Sequence, residues 1–540
     1  MLNKIRYRML IVKSRLTLVF FRLISSVENT KATSISLWHK LGKFLTPNRQ
    51  LLIWYVLITM IGALLLFSPI THKPGVTTSD FNFLDAIFTS SSAFSDTGLT
   101  VTPTIETFNI FGQVVIFILF LIGGIGWFTI KMIFFSYLLK KGRKGIFKMQ
   151  SELNEEKGFS NEGSAIDVIK FATGAIMATI VFFTLILTPF FYYVEASAPV
   201  EIGYYTDAMK TFHDPNGDFG ISLWTALFTS ASAINNAGFD ISSSYSLAPY
   251  FNNVFLQVVI MFLFIMGGIG FPILYDTKEY LKNRSSGKAF RFSLLTKLSV
   301  MVYFAVAVTG WSIVMLFEFV IFSSNGISQT SQASDISLGN ISMGSQVWAV
   351  TFNTFSTRNA GFSTVSFNAF STQTQVVFSI MMFIGSGPSS TAGGIRTTTM
   401  GIIFFTIWSY MKNRDQTSAF KRAIPRSSVN EAFVVASTAL ILTMLSTIIV
   451  SSSLSSETLR VDGTAYTMVD VVFEVMSAFG TTGLSNGLTA SMNDLSLVVI
   501  LLLMFVGQLG ISTVLKQFRA FGGQFSSKSQ RYTSEKVITG

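Results

Sequence analysis

Four stretches of this sequence close a run of small residues with a glycine. They read Ser95-Asp96-Thr97-Gly98-Leu99, Asn235-Asn236-Ala237-Gly238-Phe239, Arg358-Asn359-Ala360-Gly361-Phe362 and Gly480-Thr481-Thr482-Gly483-Leu484. Glycine has no Cβ, so it takes positive φ without steric cost and lets the chain turn its carbonyl groups toward an axis. Four such turns around one axis would stack rings of carbonyl oxygens. Rings of that kind replace the hydration shell of a cation. The short helix before each turn would aim the partial negative charge of its C-terminus at the same axis. One copy alone reads equally well as a glycine helix cap. Four copies, roughly 120 to 140 residues apart, read as a whole unit duplicated to four.

Each turn needs elements to hold it. An apolar segment precedes every copy and another follows it. The pattern predicts spanning helices at 51–70 and 108–139 around a pore helix at 81–94. The second unit has spans at 166–194 and 255–275 around 223–234, and the third has spans at 295–322 and 375–410 around 347–357. The fourth has spans at 432–451 and 495–515 around 469–479. Several of these runs exceed the ~18 apolar residues that cross a bilayer. The expected fold class is therefore an all-α integral membrane protein, with four span–pore helix–span repeats around a pseudo-fourfold central pore. The repeats occupy 50–148, 149–290, 291–426 and 427–522. A basic segment, 1–49, precedes them as either an interfacial helix or a mobile tail, and a tail, 523–540, follows.

Composition agrees with a membrane chain: 50% of residues are hydrophobic and 12% are charged. There is no cysteine, so disulfides and thiolate metal sites are excluded, and His39, His72 and His213 lie far apart in sequence, which leaves metal chemistry little to work with. A net charge of +11 could suggest a nucleic-acid partner, but the placement of the charge argues against one. Positive clusters follow the second span of each repeat: Lys140 to Lys148, Lys278 to Lys297, Lys412 to Arg426, and Lys516 with Arg519. The opposite loops carry only Lys73, Lys210 and Arg460. That asymmetry predicts cytoplasmic repeat junctions and two cytoplasmic termini. The polar stretch 323–346 is then an outer loop. An intramembrane enzyme would need a nucleophile–base pair or paired aspartates, and no predicted span carries a histidine. A purely structural scaffold would not need four glycine turns.

The run Gly385-Ser386-Gly387-Pro388-Ser389-Ser390-Thr391-Ala392-Gly393-Gly394-Ile395-Arg396-Thr397-Thr398 interrupts the last span of the third repeat. It lacks the Gly-Lys-Ser/Thr ending of a phosphate loop. Non-helical backbone at membrane depth persists only where protein buries it or where it lines a cavity. The run is therefore expected to break the helix, either as a packing kink or as a functional loop. Arg358, just before a turn, needs buried partners, and Glu474 on the fourth pore helix is the expected one; both read as scaffold. Asp96 reads either as a carboxylate at the outer mouth that concentrates cations or as a local cap. Arg396 is expected toward the cytoplasmic pore, and Glu318 between helices. Gly62, outside the turns, is expected to tolerate serine.

With these motifs in view, the sequence resembles the Trk/Ktr/HKT superfamily of potassium transporters, most of all the bacterial Ktr and Trk membrane subunits. The resemblance covers roughly residues 50–522 and rests chiefly on the turns at Gly238 and Gly361 and on the run from Gly385 to Thr398. It implies potassium uptake, with the ion held by the carbonyls of Thr97, Gly98, Ala237, Gly238, Ala360, Gly361, Thr482 and Gly483. Asp96, Asn236, Asn359 and Thr481 complete the four turns. The resemblance implies an intramembrane gate at 385–398, with Gly385, Ser386, Gly387, Ser389, Ser390, Thr391, Ala392, Gly393, Gly394 and Arg396 as its residues. It also implies a homodimer in the cell membrane, seated on a cytosolic ring of regulatory subunits that carry the nucleotide; this chain itself needs no cofactor. Glycine at 98 favours potassium, while a sodium or sodium-coupled transporter of the same fold is the alternative. One departure stands out. The family usually has arginine in the middle of the last span, where this chain has Gly507-Gln508-Leu509-Gly510, and that puts gating by this residue in doubt.

Overall fold

The computed structural model describes residues 47–77, 80–125, 165–199, 202–321, 341–454, 460 and 464–522. The chain divides into residues 1–55 and 56–540. Of the first unit only 47–55 are described, and they are helical. The basic segment through residue 46, Gly126, the cluster Lys140 to Lys148, the outer-loop residues 322–340 and the tail 523–540 lie outside the described residues.

Helices dominate. The first repeat contains α1 (Pro47–Phe67), α2 (Phe83–Phe94) and α3 (Ile110–Ile125). The second contains α4 (Ala165–Tyr193), α5 (Phe219–Asn235), α6 (Val254–Ile269) and α7 (Phe271–Ser285). The third contains α8 (Leu294–Leu316), α9 (Met343–Ser356), α10 (Thr372–Phe383) and α11 (Thr397–Met411). The fourth contains α12 (Arg426–Val450), α13 (Met468–Gly480), α14 (Asp494–Leu509) and α15 (Ile511–Gly522). A two-stranded antiparallel hairpin, with Ser418 opposite Ala423, joins α11 to α12.

The short helices α2, α5, α9 and α13 start where polar residues can satisfy their free N–H groups. Asn82 and Asp85 form a reciprocal box at α2, each side chain accepting from the other's backbone N–H at 2.9 Å. Thr467 and Asp470 do the same at α13. Asp218 accepts from Gly220 N–H at 2.8 Å and Ile221 N–H at 3.0 Å at α5, and Ser342 accepts from Ser345 N–H at α9.

Among the described residues, three continuous helical stretches are long and apolar enough to cross a membrane: 170–193, 294–321 and 426–453. They are the first spans of repeats 2 to 4. The second spans differ from expectation. The segment expected as one span at 255–275 bends by 98° between α6 and α7. Its pivot is Gly270, at φ 107° and ψ 149°, a conformation closed to other residues. The segment expected as one span at 495–515 likewise stops at Gly510, at φ 81°, before α15 resumes. The third repeat breaks too, over residues 384–396, and its next helix starts at Thr397, inside the expected 385–398 loop.

Burial is inverted relative to a water-soluble bundle. Large apolar side chains on the first spans are exposed, among them Val56 and Leu64 on α1, Val181 and Leu185 on α4, Val308 on α8, and Met444 and Ile448 on α12. In a bilayer that face meets lipid rather than water. The polar residues lie inside: Ser90, Ser91, Ser92, Ser230, Ser232, Thr354, Ser356 and Ser477 of the short helices are all fully buried. Gly62 is not the permissive position the sequence suggested. A Cβ there would run into Ser90 Oγ and come within 2.9 Å of Leu119 Cδ1, because α1 packs directly on α2.

Candidate functional site

The four turns share one backbone pattern. Asp96, Asn236, Asn359 and Thr481 have φ of 49°, 56°, 70° and 49°. The glycines two residues on, Gly98, Gly238, Gly361 and Gly483, have φ of 89°, 69°, 76° and 82°. Thr97, Ala237, Ala360 and Thr482, in between, are not left-handed. A left-handed helix cap is therefore present in the first, second and fourth turns, but the glycine is not the residue that makes it; in the third, α9 ends at Ser356 and Ala360 N–H donates to Ser356 O at 2.9 Å. Thr97 N–H donates to Ser92 O at 2.9 Å, Ala237 N–H to Ser232 O at 2.9 Å and Thr482 N–H to Ser477 O at 2.8 Å, which is the hydrogen bond that closes a helix around a left-handed cap. Asp96, Asn236 and Thr481 occupy that cap position. The glycine bends the chain again after the helix has already been closed. At Thr481 this geometry falls on a β-branched residue, a strain of roughly 1–3 kcal/mol that the surroundings must hold.

The turns pack on one another. A Cβ on Gly98 would lie 2.6 Å from Ala237 O and 2.8 Å from Gly238 Cα. On Gly238 it would lie 2.9 Å from Gly361 Cα, and on Gly361 it would lie 2.8 Å from Thr482 O. On Gly483 it would lie 3.1 Å from Gly98 Cα. The contacts run from the first turn to the second, third and fourth and back to the first. Side chains tie some of them. Asn236 Nδ2 donates to Asn359 O at 2.8 Å, and Asn359 Nδ2 donates to Gly480 O.

The loop 384–396 is bonded to the left-handed residues of the turns. Thr391 Oγ1 donates to Asn236 Oδ1 at 3.0 Å, Ser386 Oγ to Asn359 Oδ1 at 2.9 Å, and Gly393 N–H to Thr481 Oγ1 at 2.7 Å. The fourth link runs through Gln508. Its Nε2 donates to Asp96 Oδ2 and to Thr391 O, both at 3.2 Å. Asp96 is thus fully buried on the loop side of its turn; of the two readings from sequence, the local cap fits and the outer mouth does not. Its side chain is drawn to Gln508, the polar side chain that the fourth repeat places where repeats 1 and 2 have Gly124 and Gly268. Arg396 does not extend away from the loop. It donates to Ala392 O and, through Nη2, to Gln508 O at 3.2 Å.

The expected pairing of Arg358 with Glu474 is absent. Fully buried Arg358 donates through Nη1 to Met381 O at 2.8 Å and to Ile384 O, and through Nη2 to Gly385 O at 2.7 Å. These are the carbonyls freed where α10 ends, so the guanidinium caps a broken helix rather than neutralising a carboxylate. Tyr303 lies under it, 4.9 Å from ring centre to guanidinium carbon. Glu474 instead holds the chain just after its own turn. It accepts from Ser485 Oγ at 2.5 Å, Asn486 N–H at 2.9 Å and Thr489 Oγ1 at 2.9 Å. Glu318 accepts from Ser371 N–H at 3.1 Å and Ser371 Oγ at 2.8 Å, between the end of α8 and the start of α10.

Two sets of residues hold positions to which the sequence reading assigned no role. Trp224 Nε1 on α5 donates to Gln113 Oε1 on α3, and Trp348 Nε1 on α9 donates to Gln257 Oε1 on α6, both at 2.8 Å. Each bond fastens a short helix to the second span of the preceding repeat. The signal was present as a repeated triplet: Gln113-Val114-Val115, Gln257-Val258-Val259 and Gln375-Val376-Val377. The second set is Gly123, Gly267 and Gly507. A Cβ on any of them would strike the carbonyl of Phe94, Ile234 or Phe479, each four residues before a turn glycine.

The sequence profile described as "TrkH: Cation transport protein" matches residues 36–527. An uncharacterized cation transporter of Mycoplasma pneumoniae is 32% identical over 86% of this chain and 91% of that protein. Ktr system potassium uptake protein B of Bacillus subtilis is 31% identical over 92% of this chain and 97% of that protein. Among solved structures, the potassium transporter TrkH from Vibrio parahaemolyticus aligns with a TM-score of 0.56 at 15% identity, over 88% of this chain and 85% of that one, a likeness of fold.

Proposed function

The chain belongs to the TrkH family of cation transport proteins, and from that premise we propose that it carries potassium across the cell membrane through a filter made by the four glycine turns. It is not an enzyme. One observation carries the reading: four turns of the same backbone form, in contact from first to last and back, each with a glycine that its helix cap does not require. Carbonyls of Thr97, Gly98, Ala237, Gly238, Ala360, Gly361, Thr482 and Gly483 supply the oxygens that take the place of water around the ion. The four short helices bring their C-termini to those oxygens, which favours a cation there. Potassium is the substrate that the printed name of the Bacillus subtilis relative states.

The loop 384–396 gates this path. Its hydrogen bonds to Asn236, Asn359 and Thr481 support that role, because the residues it holds are those that shape the turns. The chain works as a homodimer with cytoplasmic termini, on a cytosolic ring of nucleotide-binding subunits. The basic residues of α7 and of the stretch after it, Lys278 to Lys297, support that orientation and offer the ring a positive surface.

Rubidium and sodium uptake into proteoliposomes tests the reading. The wild-type protein is expected to take up rubidium. In Gly98→Ser the side chain has no room beside Ala237 O. The potassium-to-sodium permeability ratio should fall by about tenfold or more, the scale of ~1.4 kcal/mol in ion stabilisation. Gly174, with no atom near its Cβ position, is the control for substitution to alanine. An unchanged ratio in Gly98→Ser at matched protein would remove the filter from this proposal.

A further inference from the structure

Asp96 is a fully buried carboxylate, and among the described residues no lysine, arginine or histidine lies within ion-pair distance of it. Its hydrogen-bond partner is the neutral amide of Gln508. Oδ1 of Asp96 and Oε1 of Gln508 have no partner at all. A buried carboxylate so poorly compensated is costly unless a proton or another cation joins it. On the Oδ1 side the neighbour is Gly123, where a Cβ would stand 3.3 Å from that oxygen.

The Gln508 amide marks where the charge belongs. Its Nε2 sits between two oxygens, Asp96 Oδ2 and Thr391 O, at 3.2 Å from each, which is the long end of the hydrogen-bond range. An NH2 group in that place puts partial positive charge where a cation would put a whole one. Rotating the amide by half a turn exchanges Nε2 for Oε1. Three oxygens would then converge: Asp96 carboxylate, Gln508 Oε1 and Thr391 O.

We propose that Asp96, Gln508 and the Thr391 carbonyl form a second monovalent-cation site, between the glycine turns and the loop 384–396. Water completes the shell. The site joins the first repeat, the fourth repeat and the loop, so a cation in it replaces the hydrogen bond by which Gln508 holds Thr391. Arg396 makes no ion pair with the carboxylate; it donates to Ala392 O, Ser390 Oγ and Gln508 O. The proposal rests on the filter reading above, because the ion reaches this place through the turns.

The test is rubidium anomalous diffraction from crystals of the full chain, paired with rubidium uptake by the same variants in proteoliposomes. In wild type, anomalous density is expected among the turns and again between Asp96 and Gln508. Asp96→Asn should lose the second density and keep the first, with the rubidium concentration for half-maximal uptake raised about tenfold. Gln508→Arg places a fixed guanidinium beside Asp96 and should lose the same density; it serves if Asp96→Asn does not fold. Density among the turns alone in wild type overturns the second site and leaves the filter standing. Density that persists at Asp96 in Gln508→Arg also overturns it. Density in neither place, with no uptake, overturns the filter reading instead.

Discussion

The second spans of repeats 2 and 3 both break, but by different means. Between α6 and α7 the break is a single residue, Gly270. Between α10 and α11 it takes residues 384–396. A one-residue break frees few backbone groups, and Phe271 N–H finds Ser389 O at 3.3 Å. A long break frees many, and the third repeat meets the need with a buried cation. Arg358 takes three carbonyls where α10 ends, while the loop's own donors reach the turns. Gly270 also lies against the loop, since a Cβ there would stand 2.5 Å from Pro388 O. The short break thus forms part of the seat of the long one. A bend needs only a residue that tolerates positive φ. A loop that holds four turns needs its own hydrogen-bonding framework.

Deleting Ser389 to Ala392 should have the largest effect on that contrast. It removes the Thr391 links to Asn236 and Gln508. Rubidium uptake should rise by about tenfold or more, the scale of a ~1.4 kcal/mol shift toward the open form. Potassium-over-sodium preference should fall as well, because the residues that cap the short helices lose their support. Equal or lower uptake by a folded deletion variant would make the loop a packing element.

Arg358→Gln comes next. Hydrogen bonds from a charged donor contribute about 1.5–3 kcal/mol each, and three carbonyls lose theirs. The thermal midpoint in detergent should drop sharply, more than for any substitution at Gly270 or Gly510. A midpoint close to wild type would mean that other groups cap α10.

Gly270→Ala and Gly510→Ala then separate strain from crowding. Both positions have positive φ, worth roughly 1–3 kcal/mol when alanine is forced into it. Only Gly270 also faces a backbone oxygen; nothing lies within 4 Å of a Cβ on Gly510. Thermal stability should fall for both and further for Gly270→Ala. The reverse order would detach α6 and α7 from the loop. The smallest change is expected for Trp224→Phe, which keeps the ring and deletes one hydrogen bond to Gln113, a loss of about 1 kcal/mol. Differential scanning fluorimetry reads all of these substitutions, and a larger loss in Trp224→Phe than in Gly270→Ala would put the inter-repeat bonds ahead of the breaks.

Much of this architecture was legible in the chain. Hydropathy and the repeated glycine pattern gave the position of all four short helices to within a few residues. A glycine that ends each copy announced its turn, because side chains rarely adopt that backbone. The break at Gly385 to Gly394 was visible because helix formers are missing there. The bends at Gly270 and Gly510 were not visible, because a lone glycine in an apolar run looks the same straight or bent.

Partners were the least legible part. Arg358 follows one short helix and Glu474 lies on another, and opposite charge made them a natural pair. The arginine went instead to carbonyls exposed by the broken α10, a need that exists only after the chain has folded. Asp96 seemed free to face outward, yet the turn of its backbone directs the side chain to Gln508, far away in sequence. Composition and periodicity by themselves determined that this is a mostly helical membrane protein with four glycine turns, since burying backbone in lipid allows few alternatives. The tertiary structure alone decided which oxygens and donors face one another, because that depends on distances between segments and on carbonyls left open by breaks, and neither is written in local sequence.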